Sequence, residues 1–403
     1  MKAIGIVAEY NPFHTGHGYQ IAQSRACLGE DRPVVAVMSG NWVQQADCAV
    51  ADKWTRARLA LMGGCDLVLE LPTVFATASA EKFAQGAVEL LHATGVVDKL
   101  SFGSECGDVS ALAQVAAALD SEAYRAALRD LTDSGAPFAL CRQQAAEQVL
   151  GQEAGSLLAT PNNNLGVEYI RTLNALNSPI RPMTVQRRGA AHNALHTDRP
   201  AHLSATQIRA RLREGEGAHI EDYLVPGALA LLGDDLPRLE RLERFALAKL
   251  RTMTAEDWAQ LPDSGASEGL PRRLEKAGHS CRSLGEFYEL AKTRRYTHAR
   301  LRRLVMWAML GLTAELRPDH PLYIRVLGFN ERGQALLKQM KKTAALPVIT
   351  KPAHAGKLDG AGRELFALES RFTDLYDLCY ETIPAPGREW TMDAVRVGGD
   401  SHG

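Results

Sequence analysis

At 403 residues the chain is longer than one hydrophobic core usually organises, and its 46% hydrophobic and 23% charged residues exclude a disordered or fibrous protein. A formal net charge of −1 excludes steering of a polyanion by the field of the whole molecule, so such a partner must meet a local patch. Seven cysteines without a C-x-x-C pair exclude a zinc ribbon and a secreted disulfide framework, which points to a reducing, cytoplasmic setting.

In chain order, the first apolar run, Ala3–Ala8, is bounded by Lys2 and Glu9 and reads as a buried strand rather than a signal peptide. Further short apolar runs at 34–38, Leu67–Leu71 and 100–102 alternate with amphipathic stretches at 17–27, 50–62 and 79–92. Strand, helix, strand in repetition predicts a doubly wound α/β fold built on a parallel sheet. After Asp108 the chain is alanine-rich and helical to about Leu150, then polar at 160–164, with one more strand expected at 183–186. From about residue 221 the pattern turns mainly helical: Leu239, Leu242 and Ala246, then Leu301, Leu304, Val305, Ala308 and Leu312, recur at helical spacing. The apolar stretch 304–314 is far shorter than the roughly 20 residues that cross a bilayer and is expected to be a core helix, so no membrane partner is expected. The tail 388–403 is polar and glycine-containing, and no element is expected over its last residues. Two domains are expected, an α/β unit over 1–220 and a mainly helical one over 221–403.

Chemistry concentrates where the first strand ends. Ala8-Glu-Tyr-Asn-Pro-Phe-His-Thr-Gly-His17 leaves the strand, turns at Asn11-Pro12 and enters a helix near Gly16. A helix N-terminus at the carboxyl edge of a parallel sheet offers unpaired N–H groups to an anion, and glycine lets phosphate oxygens approach the backbone. His14 and His17, three apart across the turn, can both face that anion and stabilise charge growing on phosphate oxygens. The plain structural alternative, one histidine capping and the other packed in the core, would win for H-x-G-H taken alone. Its position after the first strand favours the site. A second segment, Ser204-Ala-Thr-Gln-Ile-Arg209, places Ser204 and Thr206 before a helix bearing an arginine, where they would hold departing phosphates or merely cap the helix.

The H-x-G-H turn followed by S-x-T-x-I-R resembles the nucleotidyltransferase superfamily that includes class I aminoacyl-tRNA synthetases, which act at a nucleotide's α-phosphate. More narrowly, Gly5-Ile-Val-Ala-Glu-Tyr-Asn-Pro-Phe-His-Thr-Gly-His17 resembles the tRNA-Met cytidine acetate ligase family, which forms N4-acetylcytidine at the wobble position of elongator tRNA-Met. Ser39-Gly-Asn-Trp-Val-Gln44, Asp52-Lys-Trp-Thr-Arg56, Gly64-Cys-Asp-Leu-Val-Leu-Glu-Leu-Pro72, Ser101-Phe-Gly-Ser-Glu105, Pro161-Asn-Asn163, Val185-Gln-Arg187, Arg295-Tyr-Thr297 and Tyr323-Ile-Arg-Val-Leu-Gly-Phe329 continue the likeness in order over most of the chain. The resemblance implies an ATP site formed by Val7, Ala8, Glu9, Tyr10, Asn11, Pro12, Phe13, His14, Thr15, Gly16, His17, Gly18, Tyr19 and Gln20, with Gly103, Asn162 and Arg187. Its partners would be ATP, acetate and elongator tRNA-Met. The chain departs from the family pattern at Gln45 and Ala46, where Arg-Gly is common, at Asn164, where an aliphatic residue is common, and at His192, where tyrosine is common.

For an acceptor the size of tRNA, the segment 292–303 is the expected cationic face, with Lys292, Arg294, Arg295, Arg300, Arg302 and Arg303 and no acid. Tyr296 among them would stack on an exposed base, the alternative being an ordinary solvated helix face. The implied reaction is formation of acetyl-adenylate, then acetylation of a cytidine N4 amine. Magnesium is compatible with it, but no acidic cluster marks a metal site. Two rivals stand: a cofactor-pathway nucleotidyltransferase, and a noncatalytic RNA-binding protein that retains the nucleotide fold.

Overall fold

The computed structural model describes residues 1–132, 136–187 and 203–398. Ten strands are described: β1 Ala3–Ala8, β2 Val34–Ser39, β3 Trp42–Val43, β4 Asp47–Cys48, β5 Leu67–Leu71, β6 Val97–Ser104, β7 Arg181–Gln186, β8 Ile324–Phe329, β9 Val348–Ile349 and β10 Val395–Arg396. The main sheet runs β10-β8-β5-β2-β1-β6-β7, with β9 on β8, and β3 and β4 form a separate hairpin. In the main sheet, neighbours are parallel except β5 and β8, which are antiparallel.

The continuous apolar runs follow from burial on both faces. In β2, Val35 and Val37 enter one core while Val34, Ala36 and Met38 enter the other. Helices α1 Thr15–Leu28, α2 Lys53–Met62 and α3 Ala80–Ala93 occupy the expected crossovers, the last two capped by Asp52 on the Thr55 amide and Ser79 on the Lys82 amide. The chain leaves β1 for β2 and β5 on one side, then returns for β6 on the other. β1 therefore sits at the topological switch point, where open α/β sheets bind ligands beyond their carboxyl ends.

Three strands come from the half expected to be helical. β8 escapes a periodicity reading because Arg325, inside an apolar run, is 1% exposed. Its Nε donates to Glu389 at 3.2 Å and its Nη2 to the Met392 carbonyl at 3.1 Å. The tail likewise forms a short helix, Arg388–Thr391, and β10. Further ties fix this half to the sheet: Trp42 Nε1 donates to the Phe372 carbonyl at 2.9 Å, and Trp307 Nε1 to Thr77 Oγ1 at 3.0 Å. Among the described residues, no helix is long and apolar enough to cross a membrane.

Where the two halves meet lies a buried ionic network. Lys53 Nζ bridges Glu70 at 2.7 Å and Glu389 at 2.5 Å, while Glu369 accepts from the Thr73 amide at 2.7 Å and the Thr73 hydroxyl at 2.6 Å. Burial, then the charge of Glu70, pushes the Glu369 carboxyl up to about 8 from an ordinary 4.5. Between those values the folded chain holds a proton that the unfolded chain has released, so stability falls as pH rises through the window. Relative to Glu369→Gln, whose amide can accept from the Thr73 amide and donate to the Thr73 hydroxyl, the native chain is expected to lose up to about 1.4 kcal/mol per pH unit between pH 5 and 8. Urea unfolding at several pH values checks this; a difference that does not change with pH would mean that Glu369 is ionised in the fold.

Candidate active site

At the carboxyl end of β1 the backbone turns sharply, with Tyr10 at φ 44°, a left-handed conformation held in place by what surrounds it. Tyr10, Asn11 and Phe13 are buried and build the turn from inside. The Phe13 ring fills the space that a Cβ on Gly63 would need, and Asn11 Oδ1 accepts from the Val50 amide at 2.7 Å. Gln20, expected at the ligand, fastens α1 to β6 by donating to the Ser101 carbonyl at 3.1 Å. Val7, Ala8, Glu9, Thr15 and Gly18 remain partly exposed along the same edge.

His14 is the N-cap of α1, and the two imidazoles form a reciprocal capping box. His14 Nδ1 accepts from the Gly16 amide at 3.0 Å, and His17 Nδ1 accepts from the His14 amide at 3.2 Å. Because each Nδ1 is an acceptor, each neutral ring carries its proton on Nε2. The rings lie 3.9 Å apart between centroids, and Tyr10 meets His17 edge-on at 4.8 Å. Burial first, then the charges of His14 and Arg187, hold His17 well below its ordinary 6.5. His17 is thus a neutral N–H donor at physiological pH. Gly16 has a local reason: a Cβ there would sit 2.8 Å from His14 Cε1.

Across the switch point, Gly103, next to last in β6, leaves room for Arg187, whose Cγ would lie 3.3 Å from an added Cβ. Arg187 Nη1 approaches Asn162 Oδ1 at 3.5 Å, so Gly103, Asn162 and Arg187 lie together. Asn162 stands in the first turn of α4, Pro161–Ala175, whose N-cap Thr160 makes no side-chain cap bond. Glu105 supplies it, accepting from the Asn162 and Asn163 amides at 3.3 and 2.8 Å and from Asn162 Nδ2 at 2.6 Å. In return, buried Asn163 accepts through Oδ1 from the Glu105 and Cys106 amides at 3.0 and 3.2 Å. Asn164 follows, half-buried, on the same helix.

The S-x-T-x-I-R segment forms α5, Ala205–Arg213, and Ser204 caps it in a box with Gln207. Its hydroxyl accepts from the Gln207 amide at 3.3 Å and donates to Gln207 Oε1 at 2.9 Å, while Thr206 Oγ1 accepts from Arg209 Nη2 at 3.2 Å. Arg209 Nη1 donates to the Asn11 carbonyl at 2.9 Å, which ties this helix to the His14 turn. Arg56, quoted in the sequence only as part of a motif block and given no role there, is fully buried beneath the site. It donates to the carbonyls of Glu9 at 2.6 Å, Ser39 at 2.9 Å, Ala51 at 3.0 Å and Gly40. Glu9 itself accepts from the Gln44 amide at 2.8 Å, and burial raises its carboxyl above the ordinary value. Neither Arg56 nor Glu105 carries a periodic signal, because their partners are backbone groups of other elements.

Of the departures, His192 lies outside the described residues, and Gln45 is exposed in the β3–β4 turn. Ala46 in that turn has φ 56°, which glycine adopts without a Cβ penalty. Ala46→Gly is expected to raise stability by about 0.5–1 kcal/mol, the relieved strain exceeding the added freedom of the unfolded chain. A urea midpoint that stays or falls would contradict this.

The basic segment is less cationic than its sequence. It straddles the N-terminus of α6, His298–Leu310, and Glu268 pairs with Arg300 at 3.1 Å and Arg295 at 3.7 Å. Arg303 is half-buried, while Lys292, Arg294 and Arg302 are exposed. Tyr296, expected to stack on a base, is 6% exposed, and its hydroxyl donates to the Glu268 carbonyl at 2.8 Å. In this arrangement the loop packs against Glu268. Among the described residues, no group of three or more His, Cys, Asp or Glu side chains is placed to hold a metal ion.

A family model described as HIGH Nucleotidyl Transferase matches residues 1–388. The tRNA(Met) cytidine acetate ligase of Thermoanaerobacter sp. (strain X514) is 35% identical over 412 residues, spanning 98% of this chain and 100% of that protein. The protein of the same name from Caldanaerobacter subterraneus subsp. tengcongensis is 38% identical over 398 residues, spanning 95% of this chain and 96% of that one. The crystal structure of Thermotoga maritima TmcAL bound with alpha-thio ATP matches with a TM-score of 0.89 at 32% identity, covering 99% of this chain and 100% of that one. Its apo form matches with a TM-score of 0.91 at 33% identity over the same shares. With its paired histidines at the switch point and relatives alike from end to end, the chain belongs to the tRNA(Met) cytidine acetate ligase family of HIGH nucleotidyltransferases.

Proposed function

We propose that this chain activates acetate with ATP and transfers the acetyl group to the N4 amine of the wobble cytidine in elongator tRNA-Met. The observation that carries this reading is the His14–His17 box, which fixes the tautomer of both rings beside a helix N-terminus at the sheet's switch point. A carboxylate oxygen of acetate attacks the α-phosphorus of ATP, and the bond to the β-phosphate oxygen breaks to release pyrophosphate. Negative charge grows on the phosphate oxygens as it does so. His17 Nε2–H, the α1 amides and the Arg187 guanidinium supply donors and positive charge where that growth occurs. The cytidine amine then attacks the acetyl carbon of the adenylate, AMP departs and the amine loses a proton. No nucleophilic side chain is needed, because the mixed anhydride is already activated; positioning does the remaining work. Lys292, Arg294 and Arg302 are the exposed cations best placed in this reading to meet tRNA phosphates.

Incubation with ATP, labelled acetate and bulk tRNA, with nuclease mapping of the product, tests the reading. Label on the wobble cytidine of elongator tRNA-Met supports it. Acetyl-adenylate without labelled tRNA would overturn the acceptor, transfer of the nucleotide to a phosphorylated small molecule would favour the cofactor-pathway rival, and tRNA binding without ATP turnover would favour a noncatalytic binder.

A further inference from the structure

The Asn162 amide is held by two neighbours that agree on its orientation. On one side Glu105 Oε1 can only accept, and it lies 2.6 Å from Asn162 Nδ2. On the other, the Arg187 guanidinium can only donate, and its Nη1 lies 3.5 Å from Asn162 Oδ1. A flipped amide would face carboxylate with carbonyl and guanidinium with NH2, which is unfavourable at both ends. Glu105 is itself fixed by the Asn162 and Asn163 amides at the start of α4 and by the return bonds from Asn163. Burial opposes its ionised form, but these hydrogen bonds outweigh burial and hold its carboxyl below the ordinary range.

We propose that Glu105 is a positioning residue of the nucleotide site, which locks Asn162 so that its carbonyl oxygen alone faces the ligand and selects a hydrogen-bond donor on the nucleotide. The donor is a ribose hydroxyl or a base N–H. This rests on the ATP reading, and it makes the site selective through an acceptor whose direction is set one residue away. Glu105→Gln breaks the lock, because a glutamine amide can donate to Asn162 Oδ1 and stabilise the flipped state.

The test compares ATP with 2′-deoxy-ATP, 3′-deoxy-ATP and inosine triphosphate in acetate-dependent pyrophosphate release. The native enzyme is expected to disfavour at least one analogue by about tenfold or more in kcat/KM, as loss of one hydrogen bond from a held acceptor requires. Which analogue suffers identifies the donor as hydroxyl or base N–H. Glu105→Gln is expected to raise the KM for ATP while kcat at saturation stays within about twofold, and to collapse that discrimination. In an Asn162→Ala background, Glu105→Gln should change the analogue ratio no further. Glu105→Asp, which keeps the charge, should recover part of the ratio, and it carries the test if the glutamine variant does not fold. A lower melting temperature with an unchanged analogue ratio would overturn the positioning role and leave only a helix cap. Failure of the native enzyme to use ATP would instead sink the nucleotide reading beneath it.

Discussion

Replacing His17 by alanine is expected to lower acetate-dependent pyrophosphate release by about 10²–10³-fold, the usual cost of one preorganised donor at a developing oxyanion. Two effects combine. The Nε2–H donor is lost, and the His14 amide loses its acceptor at 3.2 Å, loosening the cap. The second effect costs stability of about 1 kcal/mol, small enough for the variant to remain folded. His14→Ala should cost a comparable factor, since it removes the imidazole that accepts from the Gly16 amide at 3.0 Å. The loss should appear in kcat more than in KM for ATP, because the donor is worth most when charge has accumulated. Since His17 is held well below 6.5, its neutral donor form persists through mildly acidic pH. The rate should therefore show no acid limb near pH 6.5 arising from His17. Single-turnover pyrophosphate release from pH 5.5 to 8, with both variants alongside, measures each point. A His17→Ala rate within threefold of the native one would remove His17 from the chemistry.

The α/β half was legible because its strands are buried on both faces and its crossovers are amphipathic or capped. Val34–Ser39 and Leu67–Leu71 carry their identity in composition alone. β8 was not legible, for a reason particular to Arg325: a charge inside a strand signals exposure unless its partner is known, and the partner is Glu389, 64 residues away. Tyr296 shows the opposite case. A tyrosine amid cations suggests a base-stacking surface, yet its hydroxyl partner is the carbonyl of Glu268, 28 residues earlier. The site divides in the same way. Residues that meet the ligand edge through local geometry, such as His14, Gly16 and His17, declare themselves by spacing. Residues that hold that edge from a distance, such as Glu105 and Arg56, act on backbone amides and carbonyls, so their sequence blocks show the family likeness but not the role.

Arg56 is the residue whose loss should cost the fold most. Its guanidinium is fully buried and satisfies four carbonyls, at Glu9, Ser39, Gly40 and Ala51. The carbonyls of Glu9, Ser39 and Gly40 lie where β1 and β2 run out of the sheet, and that of Ala51 lies just ahead of α2, so one guanidinium ties three segments together. Arg56→Ala would strand them beside an empty volume. With about 1–3 kcal/mol for each buried group left unsatisfied, the expected loss is on the order of 5 kcal/mol or more. That is comparable with the entire stability of many domains, so little folded protein is expected. Arg56→Lys keeps the charge, but its single ammonium has three donors where the guanidinium has five, and it lacks the planar fork that spans both strand ends. It should fold with a loss of about 2–4 kcal/mol in urea, a range between one and two unsatisfied carbonyls. Its KM for ATP should also rise, because the Glu9 carbonyl anchors the segment that leads into the His14 turn. Urea unfolding and ATP saturation of the lysine variant measure the two consequences separately. If Arg56→Ala unfolds within 1 kcal/mol of the native chain, the carbonyls are satisfied by other means and the arginine is no clamp. If the lysine variant loses stability but keeps its KM, the clamp serves the fold alone, and the histidine turn is held from within by its own capping box and the packing of Phe13 against Gly63.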